Sequence, residues 1–405
     1  MHLSVDDARR RALDLGLAAR VGTESVELDR LGGRILAEDI VVPDDLPPFA
    51  NSAMDGYAVR GAELPTSGEG RFRLAGTVLA GASAAPAFGD GECVRITTGA
   101  PLPPGADTVV IKENVTIDGD SIVIRSSERA GANVRPAGED YHAGDVAFKK
   151  GTALSPAQVA VLAAAGRTGA IVAQRPRVAL FVTGDELVPS GEPLGFGQIH
   201  DSNRYSLGGL LRGLGIEAHP VMHLRDDPVR LRAAFRNAAD HCDLLLSSGG
   251  VSAGEADLLP GIVADLGTIH FWKVRMRPGM PLLCGQIGGA LVFGLPGNPV
   301  STIATFLVLV RPVLLAMQRA TNAAGRVWRA RLAAPVLKKH DRCEFLRARI
   351  DMREDATLWA TPMQKQGSGM LRGVVDADAL IMIPENAHEL AQGSVVDLLP
   401  LPGLF

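Results

Sequence analysis

The chain has 405 residues, 46% of them hydrophobic and 21% charged, which is too long for one hydrophobic core and calls for several domains. A net charge of −4 argues against sequence-independent binding of nucleic acid, so any anionic ligand must be met by a local cationic patch or a metal ion. Four cysteines, Cys93, Cys242, Cys284 and Cys343, stand far apart without a CxxC pair, which argues against a zinc site or a disulfide framework and for a reduced, cytosolic protein.

The first residues, MHLSVDDARRRALD, are charged at once and lack the apolar stretch of a signal peptide; Ser4 with Asp7 reads as a helix N-cap. The strand-like GGRILAEDIVV follows, and residues 1–46 are expected to pair with a returning segment near 140–172, where Ser155-Pro156 opens a second helix. Between them lies PPFANSAMDGYAVR, Pro47 to Arg60. A turn needs the Asp-Gly and little else, so the run SAMDGYA is asked for more than chain reversal. From Phe72 to Leu154 short β runs broken by glycine predict a small all-β unit, with a DGD hairpin before SIVIR.

At Pro176 the rhythm changes. RVALFVTG is a buried strand, and Asp201-Ser202-Asn203 caps the next helix. IEAHPVM is a strand, and Asp226-Asp227-Pro228 starts a helix. DLLLSSGG precedes a helix over 255–266, and PLLCGQ and ALVFGLPGN precede a last helix over 298–317. This alternation predicts a multidomain α/β plus β chain whose centre is a doubly wound, mostly parallel sheet. The apolar run from Thr302 to Val310 is expected to break at Arg311 and Pro312, too short to span a bilayer. After Thr321 the chain is β-rich again, and His388 in HELAQ lacks the second histidine of a zinc helix and reads as surface. The expected domains are 1–46 with 137–175 as an elongated N-terminal region, 47–136 as an inserted β domain, 176–322 as the α/β domain and 323–405 as a C-terminal β domain.

Ligands of open α/β sheets lie beyond the carboxyl ends of the strands. Three glycine loops fall there: VTGDELVPSGE, SSGGVSAGEAD (with Gly249, Gly250 and Ser252) and GLPGNPVS. Glycine lets backbone approach a ligand, and helix starts favour anions. None is a Walker A loop or a GxGxxG fingerprint, which weakens kinase and dinucleotide readings. The same edge gathers Asp185, Glu186, Asp201, Asp226, Glu255 and Asp257. Asp201 and Asp226 suit helix caps, yet so many carboxylates would repel a phosphate unless a divalent cation bridged them. Mg²⁺ is therefore expected to bridge carboxylates of this edge. In FWKVRMRPGMP, Lys273, Arg275 and Arg277 at i, i+2 and i+4 would share one strand face, either a solvated edge or an anion site; the abrupt Pro-Gly favours the site. TTGAPLPPGAD and AGEDYHAGD are weaker candidates, each readable as a turn or hinge.

Taken in order, SAMDGYA, TTGAPLPPGAD, NVRPAGEDYHAGD, TGDEL, IHDSN, SSGGVSAGEAD, FWKVRMRPG and GLPGNPVS resemble the molybdopterin molybdenumtransferases, the family of bacterial MoeA and the gephyrin E domain, over residues 4 to 400. The resemblance implies an elongated N-terminal region, an inserted β domain, a molybdopterin-binding α/β domain and a C-terminal β barrel, working as a homodimer. It implies a cytoplasmic transferase that inserts molybdate into adenylylated molybdopterin with Mg²⁺ and releases AMP, with an adenylyltransferase and molybdoenzyme maturation proteins as partners and no role for nucleic acid or membrane. By motif, Glu186 and Asp257 would serve the pterin, molybdate or Mg²⁺ end, and Lys273 and Arg277 the oxyanion. Pro296 and Pro299 would shape the pocket, Asp55, Thr98 and Asp140 would come from the inserted domain, and Arg347 and Ser368 would make C-terminal contacts. Arg277 stands where the family often has lysine, which keeps the charge and changes the hydrogen-bond geometry. Two other readings compete: adenylylation of molybdopterin, against which the three additional domains argue, and a gephyrin-like scaffold, which would not need the site carboxylates this sequence retains.

Overall fold

The computed structural model describes residues 2–125, 129–251, 258–325 and 327–401. They fall into two compact units, one made of Met1–Ala37, Gly151–Ser155 and Ala170–Phe405, the other of Glu38–Lys150 and Pro156–Gly169.

The smaller unit is built on a six-stranded sheet in the order Thr108–Ile111, Gly56–Val59, Glu92–Ile96, Glu69–Val78, Ser121–Arg125, Val115–Asp118. Only the Glu69–Val78 and Glu92–Ile96 pair is parallel. Successive side chains point to opposite faces, so Tyr57 and Val59 join Phe72, Cys93 and Ile122 on one side while Ala58 joins Val78, Phe88 and Ile96 on the other. Gly56 of SAMDGYA is demanded by that packing: a Cβ there would sit 2.1 Å from the Val110 carbonyl oxygen. The Asp-Gly pair therefore opens a central strand rather than making a hairpin.

In the larger unit six strands lie in the order Ala218–Leu224, Val178–Thr183, Leu244–Ser248, Ala290–Leu295, Leu283–Ile287, Thr268–Trp272. The first four are parallel and the last two antiparallel. Burial on both faces explains the unbroken apolar runs. Leu180, Leu246 and Phe293 face the helices Val5–Ala18, Asn203–Arg212 and Pro299–Met317. Ala179, Phe181 and Leu245 face Pro228–Ala239 and Leu259–Leu266, with the Phe181 and Phe235 rings 4.7 Å apart. The sheet is doubly wound.

Two expected helix starts are observed. Ser4 Oγ accepts the Asp7 N–H at 3.0 Å, and the Asp227 carboxylate accepts those of Val229 and Arg230. The last helix, expected over 298–317, is observed. The helix runs through Pro299–Met317, with a π turn over Phe306–Val310 before Pro312, which has no N–H to give, enters the first turn of the next α segment. This helix is long and apolar enough to cross a membrane, yet 83% of its most apolar window is buried inside the protein.

The C-terminal strands close on themselves. Cys343–Met352, Leu358–Pro362, Trp328–Leu332, Val395–Pro400 and Ala379–Ile383 form a ring in which Ala379–Ile383 pairs back onto Cys343–Met352. Ala330, Ala348, Ala360 and Ala379 lie in its core beside Leu332, Leu346 and Ile381, small and large residues together filling a narrow five-stranded barrel.

Candidate functional site

Register brings the predicted loops together. Val182 pairs with Ser248, and Ser248 with Leu295, so three parallel strands end level and release their glycine loops side by side. Around them lies a cleft of about 640 Å³. Gly249 and Gly250, with φ of +97° and +67°, turn the central loop; a Cβ on Gly249 would lie 2.5 Å from the Thr183 carbonyl oxygen. Asn203, which begins its helix, locks the neighbouring loop by donating to Ser248 Oγ at 2.8 Å and to the Gly297 carbonyl at 2.7 Å. Thr302 Oγ1 donates to the Pro296 carbonyl at 2.6 Å.

Of the predicted residues, Glu186, Asp226, Gly249, Gly250, Pro296 and Pro299 all line this cleft. Glu186 is exposed and Asp226 half-buried, and the Asp226 N–H reaches the Asp185 carboxylate at 3.4 Å. Asp201 is buried and accepts the Arg204 N–H at 3.0 Å, as a cap does. Ser252, Glu255 and Asp257 lie outside the described residues. Among the described residues no three His, Cys, Asp or Glu side chains form a metal-holding group. Of the three carboxylates in the cleft lining, Asp201 is taken up by the Arg204 N–H, and Glu186 and Asp226 suit Mg²⁺, which commonly takes one or two such oxygens and completes its shell with substrate phosphate and water.

The reading of three cations on one strand face is corrected. The strand stops at Trp272, and Lys273 has φ +66°, a left-handed conformation that breaks the two-residue alternation. Lys273 Nζ lies 4.6 Å from the centre of the Trp272 ring, and the Trp272 indole donates to the Val251 carbonyl at the cleft wall. Arg275 turns to Glu385 at 2.7 Å and to the His2 carbonyl. Arg277 is exposed, belongs to a two-residue strand on Cys343–Met352, and pairs with Glu344 at 3.4 Å.

The expectation that Arg347 contacts substrate is corrected too. It is 1% exposed, and its guanidinium donates to the carbonyls of Lys365, Gly367 and Met370 and to Gln366 Oε1. Every arm of its fork is thereby taken up in holding the KQGSGM loop. The Ser368 carbonyl of that loop accepts the Val300 N–H at 3.1 Å, and Gly369 and Leu371 line the cleft.

In the smaller unit the central strand begins at Gly56, opposite Ile96 and Ile111 in antiparallel register. Asp55, Thr98 and Lys112 therefore emerge at one end of the sheet. Asp55 Oδ1 accepts the Thr98 N–H at 2.9 Å and its hydroxyl at 3.0 Å, and Oδ2 meets Lys112 Nζ at 3.3 Å. The two Thr98 hydrogen bonds, then Lys112, hold the Asp55 carboxyl below its ordinary pKa. Asp140 is exposed, with its N–H on the Leu46 carbonyl. Sequence reasoning missed Lys112 and gave Asn203 only a capping role. Strand register is the signal that would have found Lys112, and it is not local.

Comparison with known proteins decides the family. A curated Haemophilus influenzae protein named molybdopterin molybdenumtransferase is 34% identical over 405 residues, covering all of both chains. The chain belongs to the MoeA family. Its residues 3–166 match the MoeA N-terminal region (domain I and II), residues 179–316 a probable molybdopterin binding domain, and residues 329–401 the MoeA C-terminal region (domain IV). A Nostoc relative of the same name is 34% identical over 95% of this chain and 90% of its own. A crystal structure of a molybdopterin biosynthesis MoeA protein from Pyrococcus horikoshii OT3 is similar with a TM-score of 0.82 and 29% identity, covering 99% of this chain and 100% of that one. In MoeA terms, the cleft lies wholly within the larger unit, and most of its lining comes from the segment matched as molybdopterin-binding.

Proposed function

We propose that this chain is the molybdopterin molybdenumtransferase its relatives' names describe, taking adenylylated molybdopterin and molybdate, inserting the metal into the dithiolene and releasing AMP. It acts as a cytoplasmic homodimer with Mg²⁺. The observation that carries this reading is the cleft at the level carboxyl ends of three parallel strands, where glycine backbone and two carboxylates meet.

Glu186 and Asp226, with Asp257, would hold Mg²⁺, which when bound offsets the repulsion between these carboxylates and the substrate's phosphates. Gly249 and Gly250 admit the substrate against bare backbone, and Pro296 and Pro299 fix the opposite wall. Lys273 offers an ammonium to molybdate, and Arg277, already paired with Glu344, lends a weaker field. Asp55, Thr98 and Asp140 serve the same reaction from the smaller unit. The purified chain, incubated with adenylylated molybdopterin, Mg²⁺ and molybdate, should release AMP in a molybdate-dependent manner. Glu186→Gln should cripple that release while leaving the fold intact, since Glu186 is exposed. Absence of AMP release by the wild type overturns the proposal.

A further inference from the structure

The cleft has an unusual neighbour. Strands Leu187–Val188 and Ile199–His200 pair in parallel at its rim, and Leu187, Ile199 and His200 line it. The segment between them ends in a tight turn, Gly195 to Gln198, in which the Gln198 N–H bonds the Gly195 carbonyl at 3.2 Å and the Gln198 side chain accepts the Gly195 N–H at 2.8 Å. Gly197, with φ +77°, takes the left-handed position of that turn. Phe196 is at its apex, 109% exposed, the most exposed large apolar side chain among the described residues. Ile199, 55% exposed, lines the cleft three residues beyond Phe196, and Leu194 is 48% exposed.

Turn chemistry gives no reason for a phenylalanine here; the position suits proline or a small polar residue. Folding gives none either, because the ring buries nothing. Such a local inconsistency is the mark of a site that serves binding. The lining of the adjacent cleft holds no Phe, Tyr or Trp among its described residues, in a chain with only 4% aromatic residues. Apart from the small His200 imidazole, a flat heterocycle bound there finds no aromatic face in the lining, and Phe196, three residues before the lining residue Ile199 and flanked by glycines, is placed to supply a large one.

We infer that Phe196 is a positioning residue that stacks on a planar nitrogen heterocycle of the substrate at the mouth of this cleft. The inference rests on the reading under Proposed function, whose substrate carries two such rings, a pterin and an adenine. Both share the chemistry a phenyl face recognises.

The test measures binding of AMP and of 6-hydroxymethylpterin, separately, by calorimetry to the wild type and to Phe196→Ala, Phe196→Leu and Phe196→Trp. Because the ring is wholly exposed, all three variants should melt with the wild type. Phe196→Ala should weaken one probe about tenfold and spare the other, the size of an ordinary stacking contact. Loss of AMP assigns the adenine, and loss of the pterin probe assigns the pterin. Phe196→Leu should resemble Phe196→Ala, and Phe196→Trp should restore affinity. Unchanged binding of both probes by Phe196→Ala overturns the inference, and so does full affinity in Phe196→Leu, which would reduce the contact to generic apolar cover. Unchanged probe binding with a loss of self-association would mean the ring docks protein, which also overturns it. A wild type that binds neither probe yet releases AMP from the full substrate overturns the inference alone, whereas a wild type that releases no AMP overturns the functional reading and the inference with it.

Discussion

Asp55 and Arg347 show how differently two charged residues can serve one chain. The Asp55 carboxylate is half exposed, and its two bonds to Thr98 favour the ionised form, so its folded-state pKa lies below the ordinary value of 3.8. A depressed pKa adds stability at every pH above the ordinary value, and that stability is lost as pH falls through the folded one. The carboxyl carbon resonance of Asp55 should therefore titrate with a midpoint under 3.8, and Thr98→Ala should move it upward. A midpoint unmoved by Thr98→Ala would remove the hydroxyl bond as a cause and leave the backbone N–H, which the substitution keeps. Arg347 is the opposite case, buried with no carboxylate partner among the described residues and tied to backbone carbonyls. Lysine keeps the charge and loses the fork, so Arg347→Lys should cost about 3 kcal/mol in chemical denaturation, by leaving carbonyls unpaired. A loss under about 1 kcal/mol would mean that the KQGSGM loop holds itself. The FLRAR motif was legible as important from sequence. Its burial was not, because that depends on where a loop some twenty residues later folds back.

Among the elements, whatever is local in period was legible and whatever is closed by distant pairing was not. The β–α alternation from Pro176 and the caps at Ser4 and Asp227 are short-range patterns, and the structure shows them as expected. The last helix was legible too, and only its π turn over Phe306–Val310 is a feature that no propensity scale anticipates. Closure of the barrel by Cys343–Met352 on Ala379–Ile383 was implied only by family resemblance, since the residues themselves read as β-rich and no more. Gly16 in the first helix is another such case. In isolation it weakens a helix by about 1 kcal/mol relative to alanine. Here a Cβ would sit 2.9 Å from the Val313 carbonyl oxygen and 3.2 Å from Ala316 Cβ, so the glycine is what lets Val5–Ala18 lie against Arg311–Met317. Gly16→Leu improves helix propensity by about that amount yet overpacks the contact at about 1–3 kcal/mol. Net destabilisation in urea unfolding is expected. An unchanged midpoint would show that the two helices can part without loss.

The whole molecule carries a built-in way to watch its units separately. The chain passes between them at Ala37 to Glu38, Lys150 to Gly151, Ser155 to Pro156 and Gly169 to Ala170, and each unit has its own buried cores. The larger unit is sewn from three pieces, with Ile35 bridged to Ala153 and Leu36 to Val172. All three tryptophans, Trp272, Trp328 and Trp359, belong to it. Tryptophan fluorescence therefore reports the larger unit alone, whereas far-ultraviolet circular dichroism sums helix and sheet from both. Coincident transitions by two probes are the test of all-or-none unfolding, and two units with separate cores should fail it. The dichroism curve should contain a phase that fluorescence lacks. Gly16→Leu places the assignment under control, because residue 16 and its contacts at Val313 and Ala316 lie in the larger unit. In that variant the fluorescence midpoint should fall to lower urea while the phase seen only by dichroism stays where it was. If instead both probes trace a single curve in both proteins, the units unfold as one and the separate cores do not act independently.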